Sequence, residues 1–292
     1  MYDLLIFIFQ NSFLLRGIIL FFLGAIVGSF LNVVIYRLPL ILKNKWDLEC
    51  SNYLGLEVKP TKKISLITPS SHCFACGLTI PFYVNIPIIG YFITRGKCLS
   101  CKSKYSIRYA IVELLTALLF TMVAYLTNDI FKIFALLIFI SFILSLIFID
   151  YDNKILPDEL TIPLVWIGLL VNLNGLISGS LLNSVLGAII GYLSLWTIYW
   201  IHKSITKKEG LGYGDFKFLA AILAWIGCSK FIFLIFISSS LGILFYLSRF
   251  ILLKFFNKSK HFKIDKELPF GPFLGSVTLF IILNPNIIER FV

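Results

Sequence analysis

The chain has 292 residues, 59% of them hydrophobic and only 14% charged, with a mean hydropathy of +0.92. That excludes a soluble globular domain, which averages about 45–50% apolar and about 25% charged residues, and predicts a polytopic membrane protein with the lipid bilayer as its surroundings. The net charge of +11 fits basic cytoplasmic loops better than a nucleic-acid surface, so no nucleic-acid partner is expected.

Leu14–Tyr36 is the first apolar run and reaches the roughly 20 residues that a membrane helix needs. It is not a signal peptide, because it lacks an Ala-x-Ala cleavage site and ends in Tyr36-Arg37-Leu38-Pro39. Gly24 and Gly28 give it a small-xxx-small face for close helix packing. Residues 39–106 are polar and lysine-rich and hold four paired cysteines. They are too few to build much core, so a structural metal would help them fold. Seven more apolar runs follow, at about Tyr109–Leu126, Ile130–Ile149, Leu160–Leu176, Leu181–Ile201, Phe216–Cys228, Phe231–Leu253 and Phe270–Leu283. The expected fold is all-α, with about eight transmembrane helices and a small zinc-ribbon-like domain between the first two. The expected domains are helix 1 (1–38), a cysteine domain (39–106) and a seven-helix membrane domain (107–292). With alternating loops, residues 37–108, 150–159, 202–217 and 249–269 share a face and carry 22 of the 26 Lys and Arg residues. That face is expected to be cytoplasmic, with both termini outside.

Acids are few, and two stand out. Asp150 directly follows about twenty apolar residues, and Asp215 ends Gly212-Tyr-Gly-Asp215 at the start of another run on the same face. Two carboxylates at equal depth can divide the work of peptide hydrolysis. One, ionised, takes a proton from water; the other, protonated, polarises the scissile carbonyl. Cation sites and proton relays use the same residue types, so spacing alone leaves both readings open. Gly212 and Gly214 permit positive φ and close backbone approach, and are expected to form a berth for an extended substrate. Asp158 is expected to cap or open a helix, Asp152 to be solvated, and Glu113 to form a structural ion pair with Arg108 or Lys217.

Cys73-Phe-Ala-Cys76 and Cys98-Leu-Ser-Cys101 form a CxxC–x21–CxxC pattern. Two such turns supply four thiolates for tetrahedral zinc. One CxxC would suffice for redox chemistry, and no βαβ context is present. Four closed ligands leave no open position, so the metal is structural. His72 is redundant, and Cys50 and Cys228 are bystanders.

Several stretches together resemble the bacterial type IV prepilin peptidases, also called prepilin leader peptidase/N-methyltransferases. They are Gly28-Ser-Phe-Leu-Asn-Val-Val-Ile-Tyr-Arg-Leu-Pro39, the CxxC pairs with Asn85-Ile-Pro87 between them, Ile107-Arg-Tyr-Ala-Ile-Val-Glu113, Asp150 followed by Pro157-Asp158, Gly212-Tyr-Gly-Asp215, and Pro269-Phe-Gly-Pro272. The resemblance implies an aspartic peptidase of the bacterial inner membrane with catalytic residues at Asp150 and Asp215. It implies cleavage of type IV prepilins or pseudopilins after a leader glycine, on the cytoplasmic side. It also implies methylation of the new N-terminus with S-adenosylmethionine, an activity associated with the cysteine domain. One departure is Phe74, where many relatives carry proline; the ligand spacing is unaffected. The presenilin-like proteases share GxGD but not the cysteine domain, and no Pro-Ala-Leu occurs near this C-terminus. The alternatives are an ion-coupled transporter using Asp150 and Asp215 as cation or proton ligands, and a zinc-stabilised membrane scaffold.

Overall fold

The structure is a computed structural model, which describes residues 12–56, 64–208, 210–256 and 268–285. Two compact units divide the chain, residues 1–145 and 146–292.

In the first unit, α1 (Phe13–Leu54) opens with the Ser12 hydroxyl accepting the Leu15 amide and closes on Gly55 at φ +65. At 42 residues it is about 63 Å long. The helix was expected to end before Pro39, and this is corrected: it runs through the proline to Leu54. Proline deletes one N–H and its ladder bond, which membrane helices tolerate. The Lys-, Leu- and Glu-bearing stretch beyond it has good helix propensity. A short α2 (Ile89–Thr94) lies between the two cysteine turns, and α3 (Arg108–Leu126) follows the second. The glycines of α1 act as their spacing predicts. A Cβ on Gly24 would lie 2.7 Å from Ala117 Cα, and one on Gly28 would lie 2.8 Å from Glu113 Cα, so α1 and α3 touch backbone to backbone. At the far end, the buried Arg16 donates from Nε and Nη2 to the Ala124 carbonyl at 3.0 and 2.7 Å. That satisfies one of the last carbonyls of α3. Helix α4 (Ile130–Asn153) runs from this unit into the second.

The second unit holds α5 (Asp158–Val171), α6 (Leu181–Thr206), α7 (Tyr213–Ile226), α8 (Phe231–Phe256) and α9 (Gly271–Leu283). Helix α7 is its centre, with Phe216 and every residue from Phe218 to Ile226 buried. Gly187 and Gly191 let α6 approach it; a Cβ on Gly187 would sit 2.6 Å from the Leu223 carbonyl oxygen. From α5, Gly168 faces the Trp225 indole, whose Nε1 donates to the Leu164 carbonyl at 2.8 Å.

All eight expected apolar runs form helices. Among the described residues, five stretches are long and apolar enough to cross a membrane: α1, α3, α4, α6 and Cys228–Ile251, which takes in most of α8. Helices α5, α7 and α9 have 14, 14 and 13 residues, about 20 Å each. Their burial differs: α7 is enclosed by protein, whereas α5 buries Thr161, Leu164 and Gly168 and leaves Ile162, Trp166 and Leu170 exposed.

Candidate active site and metal site

Asp150 lies in the last turn of α4 and is only 5% exposed. Its Oδ2 accepts the Gly271 amide at 2.9 Å. Gly271 begins α9, so the first turn of that helix, with its unpaired N–H groups and positive dipole end, faces the carboxylate. Only glycine fits there, since a Cβ would stand 2.6 Å from Asp150 Oδ2. Asp215 lies in the first turn of α7, whose N-cap is Gly212. The Asp215 amide donates to the Gly212 carbonyl at 3.2 Å, and the Asp215 carboxylate lies beside the Gly212 backbone. Asp215 is the acid in the first turn of its own helix, where the dipole favours a negative charge. The two acids come from different helices, and the charge of Asp215 reaches Asp150.

The glycines act differently from expectation. Gly212 has φ −80, and neither it nor Gly214 is among the glycines with positive φ. Gly214 is needed for close approach, but its neighbour is the chain itself: a Cβ would meet Leu156 Cβ at 2.8 Å. Beside Gly212, among the described residues, an added Cβ would have Asp215 Oδ2 within 4 Å, at 3.4 Å, and nothing else.

Asp158 stands in the first turn of α5, behind Pro157 as N-cap. Its carboxylate takes Lys217 Nζ at 2.7 Å on both oxygens, tying α5 to α7 two residues past Asp215. Glu113 is correspondingly not the partner of Lys217. Its Oε2 accepts the Ile88 amide at 2.7 Å. Asp152 is exposed, as expected.

Three features of this region escaped the sequence. Gly271 had a signal, the Pro269-Phe-Gly-Pro272 motif, but no visible role. Leu156 had none. The third is a tyrosine brace: Tyr213 Oη donates to Tyr199 Oη at 3.3 Å, and Lys203 Nζ donates to the same Tyr199 oxygen at 3.0 Å. It pins the start of α7 to α6.

In the first unit, Cys73, Cys76, Cys98 and Cys101 place their Sγ atoms within 4.8 Å of one another. Cys73 and Cys101 are 3.7 Å apart, and Cys76 and Cys98 are 4.0 Å apart. Four thiolates about 2.3 Å from a tetrahedral zinc would be about 3.8 Å apart, so the donor set fits that ion. Both turns are built alike. The amide four residues after the first cysteine returns to that cysteine's carbonyl, from Gly77 at 2.8 Å and from Lys102 at 3.1 Å. Both donors have positive φ, +72 and +58. The Ser103 hydroxyl lies 3.5 Å from Cys73 Sγ and 3.0 Å from Cys101 Sγ. With the Cys76 and Ala75 amides it brings Cys73 down to about 5. Ser103 likewise lowers Cys101 from the ordinary thiol range, whereas desolvation and the neighbouring thiols push Cys76 up to about 11; the two lowered thiols are the readier source of thiolates for a metal.

Two family profiles match the chain: the bacterial peptidase A24 N-terminal domain over residues 22–127, and the type IV leader peptidase family over residues 137–247. A curated protein of Pseudomonas putida, named prepilin leader peptidase/N-methyltransferase, is 42% identical over 87% of this chain and 85% of its own length. The chain belongs to the type IV leader peptidase family. Proteins with the same name from Neisseria gonorrhoeae and Aeromonas salmonicida are 44% identical over 76% of this chain and 78% of the relative, and 39% identical over 94% and 92%. No solved structure matches. The transporter alternative finds no support among these relatives.

Proposed function

We propose that this protein is a membrane aspartic peptidase that removes the leader of type IV prepilins or pseudopilins after a glycine and then N-methylates the new N-terminus. Asp150 and Asp215 are its catalytic pair. The observation that carries this is that two carboxylates from separate helix ends lie near enough to interact through their charges, with Asp150 held by the Gly271 amide and Asp215 in the first turn of α7. The bound amide orients Asp150 and the helix start positions Asp215, leaving oxygen atoms to face substrate and water. One aspartate, ionised, takes a proton from a water molecule as it attacks the carbonyl carbon. The other, protonated, donates to the carbonyl oxygen. Collapse of the tetrahedral adduct breaks the C–N bond, and the departing amine takes up a proton. The open flank of Gly212 beside Asp215 receives the extended leader. The Lys217–Asp158 pair and the Tyr213–Tyr199–Lys203 brace hold the loop that carries Asp215.

One zinc ion held by Cys73, Cys76, Cys98 and Cys101 has a structural role. S-adenosylmethionine is the methyl donor and supplies an electrophilic methyl carbon on a positive sulfur. The protein works in the bacterial inner membrane, with the carboxylates and the cysteine turns on the cytoplasmic side and both termini outside. The test is co-expression with a prepilin in a peptidase-deficient bacterium. The wild-type chain should shorten the prepilin and add the mass of one methyl group. Asp150→Asn and Asp215→Asn should leave it uncut while still inserting, and full cleavage by either variant would overturn the pair.

A further inference from the structure

The first unit contains a cavity of about 330 Å3 that peptide cleavage leaves unused. Its walls are drawn from residues 29–113, between α1, the cysteine turns and the start of α3, so it is complete within that unit. Glu113 stands on the wall, half-buried. Its carboxylate accepts the Ile88 amide and lies near the Ser29 hydroxyl, and among the described residues no ion pair to it is found. Ile88 directs that amide from φ +64, an outlying conformation for a β-branched residue. Strain of this kind collects where a fold must present a group in one direction. The Tyr36 and Phe74 rings line the space with centroids 5.1 Å apart. Lys97 and Lys104, bridged to each other through their backbones, stand exposed at its edge.

A half-buried carboxylate selects a cation. Aromatic faces attract cations and stack on a purine. Exposed ammonium groups select a carboxylate. A purine nucleoside that carries both a positive sulfur and an amino-acid head matches all three. The geometry points to this cavity as the S-adenosylmethionine site, with Glu113 opposite the sulfonium. Placing it there rests on the N-methyltransferase function proposed above. In the transfer, the lone pair of the pilin amine forms the N–C bond. The C–S bond breaks with its electron pair going to sulfur, which becomes a neutral thioether, and the nitrogen loses one proton to water. Total charge is unchanged, so Glu113 contributes by binding the donor and lets go of the uncharged sulfur of the product.

The experiment uses the full chain purified in detergent with its metal. Ultraviolet crosslinking of radiolabelled S-adenosylmethionine, followed by peptide mapping, should place the label within residues 29–113. Equilibrium dialysis should show that Glu113→Gln weakens the donor by about tenfold, as expected for loss of a charged contact, and weakens S-adenosylhomocysteine by much less. Glu113→Asp should recover part of the preference. Label confined to residues 146–292, or an unchanged donor-to-product preference in Glu113→Gln, would overturn the site. If the wild-type chain methylates a cleaved pilin peptide but carries its label elsewhere, only this site fails. If it neither binds the donor nor methylates, the methyltransferase function fails with it.

Discussion

In the first unit, four thiols are gathered by two turns, each closed by hydrogen bonds within a few residues. In the second, Asp150 accepts a backbone amide 121 positions away, and Asp215 arrives on a third helix. The cysteine site needs its turns to form and the two hairpins to meet. The carboxylate site needs α4, α7 and α9 to be packed in register, with glycines wherever a Cβ would intrude. Damage to helix packing should therefore strike the carboxylates first and leave the metal in place, whereas damage to the turns should do the reverse.

The sharpest way to break that separation is at the metal. Replacing Cys73 and Cys98 together by serine should take zinc from about one per chain to none by elemental analysis. It should also expose residues 64–106 to limited proteolysis, since structural zinc sites contribute on the order of 10 kcal/mol to folding. Next come the acids. Asp150→Asn or Asp215→Asn should lower prepilin cleavage at least about 10³-fold, near the range for lost acid–base catalysis, with zinc retained; zinc lost along with cleavage would show that the two sites are not independent. Gly271→Ala should cost roughly 10²-fold in the same assay, because about an ångström of displacement at a reacting group has that effect. Its new methyl would meet the Asp150 carboxylate while the thiols stay untouched. The smallest effect is expected from Lys217→Met. Its bridge to Asp158 is partly exposed, so thermal unfolding should report a loss below about 1 kcal/mol.

The apolar runs and the CxxC pairs were legible because hydropathy and turn spacing act over short distances. Hydropathy registers burial without naming what does the burying, so α7, enclosed by protein, reads like a membrane span although it is only 14 residues long. Pro39 looked like a helix end because proline usually is one, yet the residues on either side favour helix. Asp215 was visible from its glycines, but the work of Gly214 was not, since its close neighbour Leu156 lies 58 positions earlier in the chain. Lys217 gave no hint that its partner would be Asp158, 59 positions away. Glu113 was placed in an ion pair, because an acid inside an apolar helix invites a cation; the structure supplies a strained amide instead. Pairings of this kind belong to tertiary packing, and no local pattern records them.

The amide that holds Asp150 belongs to the first residue of the last described helix. A ribosome adds that glycine 121 residues after it has added Asp150. Until then the carboxylate at the end of α4 is in the membrane without its donor, and any chain cut short before Gly271 keeps it so. The pair is therefore completed well after both carboxylates have been made, and a product truncated before Gly271 should be inert toward the proteins around it.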